Sequence, residues 1–130
     1  MAMSPHRGTP HWPRRMACAV VFSLATLPAM AHHGWAWAED GNAELTGVVT
    51  AARLGNPHGE LALDVGGVNW TVEVGQPWRN ERAGLKDAML AKGVELTVSG
   101  HRHVDPAKKV FKAERVFIDG KRFDLYPDRD

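Results

Sequence analysis

A chain of 130 residues carrying 16 lysines and arginines against 15 acids is long enough for one small domain and close to neutral. Three of the bases, Arg7, Arg14 and Arg15, lie in the first fifteen positions, and without them 13 bases face 15 acids, a charge of about −2. That balance lacks the positive surface that nucleic-acid binding needs, so DNA and RNA are excluded as partners.

The N-terminus reads as an address. Arg14 and Arg15 precede an apolar run over 16–27, then Pro28 and the small-x-small triplet Ala29-Met30-Ala31. A basic start, about 12 apolar residues and an A-x-A end predict a secretory signal helix over 1–31, too short to be a transmembrane span. The expected destination is the periplasm or the outside of a bacterial cell, with no membrane span left after cleavage. Cleavage after Ala31 would make His32 the first residue. The single cysteine, Cys18, falls inside the signal, so the exported chain forms no disulfide.

Residues 32–43 read as an extended arm in which Trp35 and Trp37, as i, i+2 neighbours, lie against the domain. The domain itself is expected over 44–126, with a polar tail at 127–130. Strand one spans 44–54. Leu45, Gly47 and Val49 share one face, and then Ala52 and Leu54 take the opposite phase, which predicts a bulge. Gly55-Asn56-Pro57 breaks the strand. Residues 60–65 and 68–74 alternate cleanly around Gly66-Gly67, a two-residue hairpin turn, with Trp70 on the core face. Residues 76–92 are helical in composition, with Pro77 in the first turn and Gly84 dividing off a second segment over 85–91. Strands follow over 94–100, 110–118 and 121–126, the last two joined by Asp119-Gly120. Strand, strand, strand, helix, strand, strand predicts an all-β fold with one short helix, an OB-like barrel of five or six strands. A small β-sandwich or an open meander carrying one helix is the alternative.

The residues Ala31-His32-His33, the Gly-x-Val of 47–49, Asn56-Pro57-His58, Trp70 and Arg79-Asn80-Glu81-Arg82 together carry a likeness. The chain resembles domain-of-unknown-function family 6152, small exported bacterial proteins. That resemblance implies an envelope address and an OB-like barrel, and it implies no activity. Many members have Ser where Gly34 stands here.

Five histidines downstream of the signal, His32, His33, His58, His101 and His103, form the main chemical signal. A free α-amine and ring nitrogen at His32, with a third nitrogen from the barrel, would make a T-shaped site suited to Cu(II). His33 offers a competing chelate with the amine and the intervening amide. His58 follows a rigid Asn-Pro pair at a barrel rim, and His101 and His103 share one strand face. Against this stands solvent exposure. His101-Arg102-His103 also reads as a solvated strand end, and Arg79, Arg82, Glu114 and Arg115 as surface charge. No nucleophile motif or phosphate loop is present, so the expectation is a binding module rather than an enzyme. Its ligand is a metal ion, best Cu(II), or alternatively an envelope protein or small ligand held without metal.

Overall fold

The computed structural model describes residues 35–129 and, apart from them, Gly8. Apart from Gly8, the expected signal segment, with His32 and His33, lies outside the described residues.

Eight elements follow one another: β1 (Ala43–Arg53), β2 (Glu60–Val65), β3 (Val68–Glu73), α1 (Pro77–Arg82), a 3-10 turn (Asp87–Leu90), β4 (Glu95–Arg102), β5 (Val110–Ile118) and β6 (Lys121–Asp124). The strands run in the order β3-β2-β1-β4-β5-β6. A parallel pairing of β3 with β5, Thr71 to Val110 through Glu73 to Lys112, closes the first five into a barrel. This is the OB-like topology expected from the element order, and β6 is one added hairpin strand on β5. No helix among the described residues is long and apolar enough to cross a membrane.

Both hairpins turn on residues able to take positive φ. Gly66 and Gly67 stand at 58° and 87°, and Asp119 and Gly120 at 50° and 75°. Two positive φ values match the right-handed twist of the strands they join. The core is the inward set of these strands: Leu45 and Val49, Leu61 and Leu63, Trp70 and Val72, Leu96 and Val98, with Phe111 and Val116.

Between β3 and β4 the expected second helical segment is a 3-10 turn, because Gly84, at φ 81°, ends α1. Leu85 and Leu90 still bury almost completely and plug that end of the barrel. Asn80 anchors the helix by donating from Nδ2 to the Gly75 carbonyl at 3.1 Å. Arg79 is not solvated charge. Its guanidinium lies between Trp78 and Tyr126, 4.5 and 4.2 Å from the ring centres, and donates to the Leu125 carbonyl at 3.2 Å.

Two irregularities shape the sheet. In β1 the register against β2 skips Thr50, which is the bulge that the phase change there predicts. In β5 it skips Glu114 against Ser99 and Gly100 of β4. At both places a strand presses on a glycine. A Cβ on Gly47 would stand 2.3 Å from the Asp64 carbonyl oxygen, and one on Gly100 would stand 2.0 Å from that of Lys112. Neither neighbour is a flexible side-chain tip, so the backbone itself has to move. Gly100→Ala is therefore expected to destabilise the domain by about 2–3 kcal/mol, through overpacking of the β4–β5 seam. Urea unfolding checks this, and a loss within a few tenths of a kcal/mol would contradict it.

Candidate metal centre

Hairpin register is what gathers the site. Pairing around Gly66-Gly67 sets Glu60, at the start of β2, directly opposite Glu73, at the end of β3. Two carboxylates facing each other on one ladder repel and need cations nearby. Arg53, the β1 partner of Glu60, forms an ion pair with it. Lys112, the β5 partner of Glu73, brings its ammonium 3.2 Å from Glu73 Oε2. The loop carrying Asn56 and Pro57, joined by a cis peptide bond, then sets His58 Nε2 3.5 Å from Glu73 Oε1.

The result is one imidazole nitrogen and two carboxylate oxygens within 4.8 Å of one another, all partly buried. Among the described residues this is the one group of three His, Cys, Asp or Glu with that convergence. A nitrogen with two oxygens is a donor set for first-row divalent ions. Lys112 occupies one face of Glu73, so Oε1 is the oxygen turned towards His58.

The other histidines are placed differently. β4 extends two residues beyond the expected end, and His101 lies within it, only 6% exposed. The solvated-strand-end reading of His101 is thus corrected. Its Nδ1 is 2.7 Å from the Glu39 carbonyl oxygen and its Nε2 is 2.6 Å from Glu114 Oε1. A carbonyl only accepts, so Nδ1 carries a proton, and the contact with the carboxylate needs a second one shared by the pair. Neither ring nitrogen has a lone pair free for a metal. His103 accepts from the Asp105 amide at 2.9 Å through Nδ1 and stacks on Trp37. Neither His101 nor His103 belongs to the convergent group.

Glu114 and Arg115, expected on the surface, are 1% and 8% exposed. Arg115 Nε donates to Asp124 at 3.1 Å, and Arg129 Nε donates to Glu114 Oε1 at 2.9 Å. Their partners come from β6 and the C-terminal segment, and the arm packs on His101 and Arg129 beside them. Residues 35–38 form a turn rather than a continuous extended segment, with the Ala38 amide bonded to the Trp35 carbonyl. The Trp35 ring meets His101 and Tyr126 edge-on, with Arg129 4.0 Å and Lys112 4.9 Å from its centre. Burial raises the Tyr126 phenol above its usual range, and Glu73 adds to this while Arg79 and Arg129 oppose it.

A family model described as a family of unknown function, DUF6152, matches residues 20–111 of this sequence. The chain belongs to that family. The DUF6152 match takes in His58, Glu60 and Glu73 and ends one residue before Lys112. No curated protein matches the chain.

Sequence reasoning picked out His58 but missed both glutamates. The signal was present, because Glu60 and Glu73 are equidistant from the Gly66-Gly67 turn. Lys112→Met is expected to cost roughly 3 kcal/mol, because it leaves Glu73 poorly solvated and opposite a like charge. Adding Glu73→Gln should recover most of that loss in urea unfolding. Equal stability of the single and double variants would contradict the pairing.

Proposed function

We propose that this DUF6152 protein is an exported metal-binding module. It holds a divalent transition-metal ion, best Cu(II), between His58 with Glu60 and Glu73 on the barrel and His32 at the mature N-terminus. The observation that carries the reading is the docking of Trp35. Its ring lies 4.9 Å from the Lys112 ammonium, which is itself 3.2 Å from Glu73. Three residues of extended chain span at most about 10 Å, a length that would let a residue at position 32 approach the cluster from the seat of Trp35. After cleavage at Ala31, His32 would add an α-amine and an imidazole. With His58 and a carboxylate oxygen these make the mixed nitrogen and oxygen set that a tetragonal Cu(II) ion takes. His101 and His103 have no part in this site.

The test is a competitive Cu(II) titration of three proteins: the chain beginning at His32, the same chain with one added N-terminal residue, and His58→Ala. The first should bind at least tenfold more tightly than either of the others. Equal affinity of all three would overturn the reading.

A second reading, a module that holds an anionic small ligand without metal, has one observation in its favour. A cleft of about 230 Å³ is lined by Trp70, Arg102, His103, Pro106, Lys108 and Lys109, with the acidic Glu39 at its side. The Arg102 and Lys109 charges lie 5.9 and 5.3 Å from the Trp70 ring centre. The thermal midpoint separates the two readings, since a metal that binds only the folded state must raise it. Cu(II) that leaves the midpoint unchanged favours the cleft.

A further inference from the structure

The two ends of the described chain meet on one buried carboxylate. Glu114 is the residue skipped in the β4–β5 register, and such a bulge re-aims the side chain it carries. Its backbone carbonyl accepts from the amides of Leu125 and Tyr126, at 2.8 and 3.2 Å, and so fixes the start of the C-terminal segment. Its side chain receives Arg129 from that segment and His101 from β4. The far nitrogen of the same His101 ring is bonded to the Glu39 carbonyl of the N-terminal arm. The arm is bound at a second point as well, where the Glu39 amide donates to the Arg102 carbonyl at 2.8 Å. Arg129 completes the assembly. Its guanidinium stacks on Trp35, and its carbonyl accepts from Arg115 Nη2 at 2.6 Å.

We infer that the C-terminal segment clamps the N-terminal arm onto the barrel through Arg129 and Glu114, which makes Arg129 a positioning residue for whatever the arm carries. Trp35 lies in a seat made of groups from three sources: His101 on β4, Lys112 on β5, and Tyr126 with Arg129 at the C-terminus. The last of these belong to the C-terminal segment, which the Glu114 carbonyl, Arg79 and Arg115 hold against the barrel. Removing the Arg129 side chain takes away one wall of the seat and a charge-assisted bond to a carboxylate that is 1% exposed. The clamp stands on these contacts alone. Its consequence for a bound ion rests on the metal reading above, in which the arm delivers His32 to the cluster.

Hydrogen exchange and Cu(II) titration on the chain beginning at His32 test both levels, comparing the parent with Arg129→Ala and with the conservative Arg129→Lys. In Arg129→Ala the amides of Ala38 and Glu39 should exchange at least tenfold faster, while those of Val98 and Val116 keep the parent rate. Arg129→Lys, which retains the charge, should recover part of the protection. Copper affinity should fall at least fivefold in Arg129→Ala, and only when His32 begins the chain. Unchanged exchange at Ala38 and Glu39 would overturn the clamp, as would an equal acceleration at Val98. A parent that binds no copper would overturn the metal reading and leave the clamp judged by exchange alone.

Discussion

Everything in this domain depends on a short parallel seam. Thr71, Val72 and Glu73 of β3 pair with Val110, Phe111 and Lys112 of β5, and without that pairing β3 and the first residues of β5 would be open edges. Inward, the seam joins Val72 and Phe111, both fully buried, across the core. Outward, it joins Glu73 and Lys112, whose ion pair links the hairpin carrying His58 and Glu60 to the strand that supports Trp35. Closure of the barrel and the pairing of Lys112 with the candidate centre are therefore one event in the fold.

A second constraint comes from the bulges. Each shifts its strand's register; in β5 the shift lets Phe111 and Ala113 before it and Val116 after it face the core, whereas in β1 the residues from Thr50 to Arg53 are exposed. In β1 the change shows in the sequence, because Leu45, Gly47 and Val49 give way to Ala52 and Leu54. In β5 it does not. Lys112, Glu114 and Arg115 stand amid apolar residues, and that composition suits an exposed strand as well as a buried one. Their burial is decided by the arm and the C-terminal segment, which lie far away in sequence.

The same contrast runs through the candidate site. The Gly66-Gly67 turn fixes a two-residue hairpin, so the opposition of Glu60 and Glu73 could be counted from the turn. The place of His58 at a strand mouth follows from Asn56-Pro57. The Lys112–Glu73 pair could not be counted, since it exists only once the barrel closes. His101 misleads for a related reason. Its ring meets a carboxylate thirteen positions downstream and a carbonyl sixty-two positions upstream, and both contacts are set by tertiary packing rather than spacing. Of the histidines singled out in the sequence, His58 lies in the convergent cluster, whose other members are carboxylates with a lysine beside them.

Cu(II) has a strong X-ray absorption edge, so the proposed copper site can be tested by where copper binds the chain that begins at His32. The most direct measurement is anomalous diffraction at the copper edge from crystals of the chain that begins at His32. The account predicts a single strong peak about 2 Å from a ring nitrogen of His58, bounded by Glu60, Glu73 and the N-terminal amine. A peak at His103, or no peak on the His58 side of the barrel, would contradict it.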